Sequence, residues 1–146
     1  MQSAINARNG VPYENQEYTH SGIIRTVAAP SADTMTLHFH VNASGLVKVW
    51  SDTVVIAAMP VNTALDRPVI AGVLPAQLRP IQETTCFFAY SINAGAVDTN
   101  VGGQMTISAA GVVTFLAAMI GATTFANGVS HTFKRVDLTY RRVLPI

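Results

Sequence analysis

Between Met35 and Val41 the chain alternates strictly: Met35, Leu37, Phe39 and Val41 are apolar, and Thr36, His38 and His40 between them are polar. A period of two puts every second side chain on one face, so this stretch must be a strand with one face in a core. The pattern returns at Val136, Leu138 and Tyr140, which alternate with Arg135, Asp137, Thr139 and Arg141. Cys86, Phe88, Tyr90 and Ile92 share one face of a third strand, and Met105 and Ile107 one face of a fourth. Composition agrees. Val, Ile and Thr supply 42 of the 146 residues, whereas Lys and Glu, the usual solvating residues of helix surfaces, number two and three. β-Branched side chains suit a pleated, half-buried surface better than a helix.

The turns divide this material into short pieces. Ser108-Ala109-Ala110-Gly111 joins the fourth strand to a return strand over residues 112–117, a hairpin. Asn127-Gly128 tolerates positive φ and predicts a tight turn between a strand at 123–125 and one starting near His131. Residues 53–58 (TVVIAA) are apolar on both faces and predict a central or interface strand. Residues 57–65 and 75–78 could each hold a short helical turn. The count reaches about eight to ten short strands, so the expected fold class is all-β, an antiparallel sandwich of jelly-roll type. Residues 1–20 fall outside the pattern and read as an extended N-terminal arm anchored by Tyr13 and Tyr18, with residues 21–146 as the sandwich domain.

Charge narrows the partners. Charged residues are 12% of the chain and the net charge is +1, too little to hold nucleic acid by bulk electrostatics. A chain that is 49% hydrophobic with so few charges covers apolar area most easily by associating with protein. The longest apolar stretch, 112–122, has eleven residues against the roughly twenty that span a bilayer, and the polar first twenty residues predict no secretory signal. Membrane insertion is therefore not expected. A single cysteine excludes an internal disulfide framework and a multi-cysteine zinc site.

The chemistry-bearing residues form no catalytic pattern. Nucleophile-elbow, phosphate-loop, dinucleotide and zinc-protease motifs are absent. Cys86 shares a face with Phe88 and Tyr90 and is expected to be a buried, inert thiol; Ser91 lacks the glycines of an elbow. The eight carboxylates are scattered, with no spacing that sets up glycan hydrolysis. His38 and His40 are the only candidate metal ligands: too few on one chain for a closed site, they would be tripled on a threefold axis. No metal or other cofactor is otherwise expected. Asn42-Ala43-Ser44 matches a glycosylation acceptor. Lys134, Arg135, Arg141 and Arg142 gather positive charge, either as a solvated strand face or as a docking patch for an acidic partner. Pro75 and Pro80 make the segment between them a rigid crossover, in which Arg79 can pair with a carboxylate or cap carbonyls.

That crossover, Leu74-Pro75-Ala76-Gln77-Leu78-Arg79-Pro80, has the form Leu-Pro-x-x-x-Arg-Pro. It is followed by the strand carrying Cys86 to Ile92, by the strand–turn–strand of residues 103–113, and by an alternating strand ending in Tyr140. This order, over about residues 46–146, resembles the trimeric β-sandwich domains of tailed-bacteriophage fibres, baseplates and head fibres. The resemblance implies a non-enzymatic virion protein assembled in the host cytoplasm. The first expectation is a homotrimeric capsid decoration or head-fibre subunit bound to the major capsid protein or another virion protein. The second is a tail-fibre or baseplate domain that recognises host-surface saccharide. Tyr13, Tyr18, Arg79, Arg141 and Arg142 are the expected assembly residues.

Overall fold

The computed structural model describes residues 16–26, 29–60, 67–94, 97–117 and 125–142. Among these residues ten strands form a single antiparallel sheet: β1 (Gln16–Arg25), β2 (Pro30–Val41), β3 (Leu46–Ser51), β4 (Val54–Ile56), β5 (Val69–Ile70), β6 (Thr84–Ala94), β7 (Val97–Ile107), β8 (Val113–Leu116), β9 (Ser130–Phe133) and β10 (Asp137–Arg141). Their spatial order is β10-β3-β2-β1-β5-β8-β7-β6-β9-β4. Two meanders are visible in it, β1-β2-β3 and β6-β7-β8, joined by the two-residue strand β5. The sheet curls until β4 touches β2 and β10 touches β6, so both meanders turn their inner faces to one core. A single turn of 3-10 helix, Ala76–Leu78, sits in the expected proline crossover. No described helix is long and apolar enough to cross a membrane.

The alternation read in β2 is met in full. Met35, Leu37, Phe39 and Val41 are buried, and Val47 and Val49 of β3 join them. The other half contributes Phe88, Phe115 and Phe133, whose ring centroids lie 4.9 to 5.4 Å apart, two of the pairs edge-on. Such geometry aligns positive ring edges with negative faces and adds to the gain from area burial. Gly103 makes the packing possible: a Cβ there would lie 2.5 Å from the Leu116 carbonyl oxygen and 2.9 Å from the Phe88 ring. Gly111, at φ +89°, closes the β7–β8 turn against Leu74, where a side chain would also be strained. The buried hydroxyls of Tyr90 and Tyr140 donate to the carbonyls of Ala117 and Leu78, which ties the core to the connections around it. Burial pushes Tyr90 up to about 12.

Several expectations change. Residues 53–58 are not a central strand: only Val54–Ile56 pair, at the end of the sheet, and Val55 is 53% exposed. A two-sided apolar run fits a short edge strand with an exposed valine as well as a buried one. The Asn127-Gly128 turn forms, but residues 125–126 before it are not strand, and residues 123–124 lie outside the described ones. The turn instead docks on the chain after β4, through Gly128 N–H to the Met59 carbonyl (2.9 Å) and Met59 N–H to the Val129 carbonyl (3.1 Å). Residues 57–60 form no helix, and 61–65 lie outside the described residues. Residues 16–20, read with the arm, are the first half of β1: Tyr18 pairs with Phe39 and packs against the core. Cys86 lies on the predicted face but is only partly buried, and burial pushes its thiol up to about 11.

His131 lies fully buried in this core. Its Nδ1–H donates to the Val129 carbonyl (2.8 Å) and its Nε2 accepts from Ala126 N–H (3.2 Å), which fixes one neutral tautomer. Among the described residues, the one titratable group in ring contact with it is Tyr90. Burial holds its pKa below the ordinary histidine value, and His20 is lowered for the same reason. A lowered folded pKa means that, as pH falls below about 6.5, the unfolded chain takes up a proton that the folded chain refuses. Stability is therefore complete above that pH and falls as pH drops toward the folded value. Thermal denaturation at pH 7.5 and 5.5 should show a lower Tm in acid, and His131→Gln should flatten that dependence. An unchanged slope in the variant would refute the assignment. In the same assay at pH 7.5, Phe88→Ala should cost about 3–5 kcal/mol, a fall in Tm of roughly 6–20 °C.

Candidate functional site

The outward face of the first half is built in register. On β1, β2, β3 and β10, Glu17, His40, Lys48 and Thr139 form one cross-strand row. Thr19, His38, Trp50 and Asp137 form the next. Cross-strand neighbours on one face lie about 4.5–5.5 Å apart at Cβ, so each row is a continuous line of side chains. His38 stacks on Trp50, with ring centroids 5.6 Å apart and planes 16° apart, and its Nε2 lies 3.2 Å from Asp52 Oδ2. Lys48 Nζ stands 6.0 Å from the Trp50 ring centroid. A shallow groove of about 180 Å³ runs beside the pair, lined by Glu17, Thr19, His38 and Trp50 together with Tyr18 and Phe39. At the far end of the row Asp137 accepts two hydrogen bonds from Arg135, at 3.0 and 3.2 Å. That guanidinium holds the carboxyl below the ordinary aspartate value.

The outward face of the second half is different. β4, β6, β8 and β9 contain no Asp, Glu, Lys or Arg, and β7 contains Asp98 alone. Phe87 projects from β6 and is 67% exposed. One curled sheet therefore presents an aromatic, charge-bearing face on one half and a nearly charge-free face on the other.

The sequence candidates separate on these surfaces. His38, His40 and Arg141 come to the charged face; Arg141 Nη1 donates to the Ser44 carbonyl (3.4 Å). Among the described residues no group of three or more metal-ligating side chains forms. Arg79 Nε donates to the Leu74 carbonyl (2.8 Å), the capping role read for it. Arg142 is buried, and its Nη1 donates to the Gln77 carbonyl (3.3 Å). Tyr18 turns inward, its hydroxyl donating to Gln16 Oε1 (2.6 Å), and Tyr13 lies outside the described residues. The basic cluster is thus divided: Arg135 pairs with Asp137, Arg142 faces the interior, and Lys134 and Arg141 stay exposed. Ser91 is buried and donates to Asn93 Oδ1 (2.9 Å), with no base beside it among the described residues. The side-chain oxygen of Asn42 accepts from Ser44 N–H, Ser44 Oγ and Leu46 N–H, so the acceptor motif shapes the β2–β3 turn.

Two residues escaped the reading of the sequence. Trp50 is the chain's one tryptophan and alternates with Val47 and Val49, which put it on the polar side; Phe87 has opposite parity to Phe88. In both, the signal was an aromatic at an outward position.

The sequence matches no protein-family model and no curated protein. Solved structures do resemble the fold. One is a reovirus attachment protein, sigma1, in complex with α-2,3-sialyllactose, at TM-score 0.55 and 11% identity over 86% of this chain. Another is avian reovirus sigmaC, at TM-score 0.46 and 14% identity over 89% of this chain. The chain spans 66% and 64% of those two chains, just under two-thirds of each. Neither comes from a tailed bacteriophage, and the likeness to sigma1 is one of fold: an antiparallel β-domain of the kind found in a viral attachment protein.

Proposed function

We propose that this chain is a non-enzymatic virion protein, a homotrimeric attachment domain that recognises host-surface saccharide through the outward face of β1, β2 and β3. The observation that carries this reading is the Trp50 ring, stacked on His38 and bordered by the hydroxyl of Thr19 and the carboxylate of Glu17. Sugars combine an apolar C–H face with a ring of hydroxyls. An indole beside fixed donors and acceptors meets both demands, and a shallow open groove admits a chain end without a deep pocket. The fold likeness to an attachment protein solved with a sialylated glycan supports the same reading. It reverses the order suggested by the sequence, in which capsid decoration came first. The tailed-phage setting and the virion location belong to this proposal.

Capsid decoration is the second reading. It is favoured by the exposed cations Lys134 and Arg141, which suit docking on an acidic capsid surface.

Glycan-array and titration measurements separate the two. The parent protein should bind a defined class of saccharide, and Trp50→Ala should weaken binding tenfold or more while Tm changes by no more than a few degrees. Tenfold corresponds to about 1.4 kcal/mol, the scale of one good stacking contact. No saccharide binding at millimolar concentration, or binding untouched by Trp50→Ala, would overturn the attachment reading.

A further inference from the structure

The nearly charge-free face carries a second inference. It rests on the self-association in the reading above but not on the saccharide site. Across β6, β7 and β8, Phe87 opposes Gln104, which opposes Leu116; one step along, Ala89 opposes Gly102. Phe87 is the most exposed large apolar side chain described, at 67%. Gly102 has nothing within 4 Å of the position a Cβ would take, so Ala89 and Gly102 form an open floor beside a projecting ring. At the other end, Arg67 and Glu83 border one recess of about 260 Å³ with Thr85, Thr106 and Leu116. Both are exposed, and neither pairs with a described residue.

We infer that this face is the contact surface between copies of the chain, with Phe87 of one copy lying on the Ala89–Gly102 floor of the next and Arg67 of one facing Glu83 of the other. Two features select a second copy over an unrelated partner. One face supplies both the knob and the floor that receives it, and its rim supplies both a cation and an anion. Around a threefold axis such a face closes a ring when the Phe87 side of each copy meets the Ala89–Gly102 side of the next, a heterologous contact repeated three times. The flanking strands favour it too. β4, β6, β8 and β9 carry no charge and β7 only Asp98, near its start, so most of the face can be desolvated without leaving an ion unpaired. About five strands at 4.8 Å spacing and seven residues at 3.3 Å give on the order of 550 Å² in projection. Side-chain relief raises that toward the about 800 Å² per partner of a stable interface.

Sedimentation velocity from 1 to 100 µM tests the assignment. The parent should be oligomeric, and Phe87→Glu should shift association to concentrations at least about thirtyfold higher, as expected for an anchor residue. Its Tm at low concentration should match the parent's, because the side chain is mostly in solvent; Phe87→Ser serves if the glutamate variant aggregates. Arg67→Glu and Glu83→Arg should each weaken association severalfold, and the double exchange should restore it. A parent that stays monomeric at 100 µM overturns this inference and the homotrimer with it. A parent oligomer indifferent to both Phe87 variants overturns the face alone. Saccharide titration of Phe87→Glu keeps the two readings apart: the intrinsic affinity of the Trp50 site should be retained in the dissociated chain, and its loss would refute the independence of the two faces.

Discussion

The packing of Phe88 against Phe115 and Phe133 is the contact on which the curl depends. These rings come from β6, β8 and β9, which are separated in sequence and brought together only by the sheet. A sheet with one apolar face cannot stay flat in water; it must cover that face, and here the cover is its own other half. Leu37, Phe39, Val47 and Val49 of the first meander join the aromatic side in one core. Gly103 shows how tight the fit is, since even a methyl group there meets a backbone oxygen. The distinct outer faces follow from the same constraint. Once the inward positions are committed to the core, the alternate positions are free to differ between the halves, and they do.

Much of the strand content was legible because alternation is a property of the backbone itself: in β2 and β10 the side chains had to segregate by parity, wherever those strands lay in the sheet. The crossover was legible for a similar reason, as Pro75 and Pro80 exclude an interior strand and leave Arg79 to satisfy a carbonyl. Spatial order was not legible. Whether residues 53–58 were central or marginal depended on which strands found partners, and the apolar run of β4 is the same in either place. The extent of β1 was hidden because Gln16 to Ser21 are mostly polar, with Tyr18 and His20 the inward positions of a strand entered from its wettest end. Of the candidate site, His38 and His40 were visible as a pair, but their role depended on Trp50 across the strand, a neighbour that only register supplies. Arg142 was read as a surface charge because nothing local shows that the chain turns it inward.

A sheet that curls without sealing keeps two ends, and what lies at one of them has a consequence for the chain in bulk. β4 is three residues long, and the amide just beyond it, Ala57 N–H, is taken by the Asp33 carboxylate of β2 at 2.8 Å. A longer bare edge would offer a ladder of donors and acceptors to any passing strand, and identical chains crowded together would extend one another into fibrils. The aspartate occupies that first rung with a group that cannot propagate the ladder. At this end of the sheet a neighbouring strand would meet a carboxylate where it needs a free donor, so extension there is opposed by charge as well as by the shortness of β4.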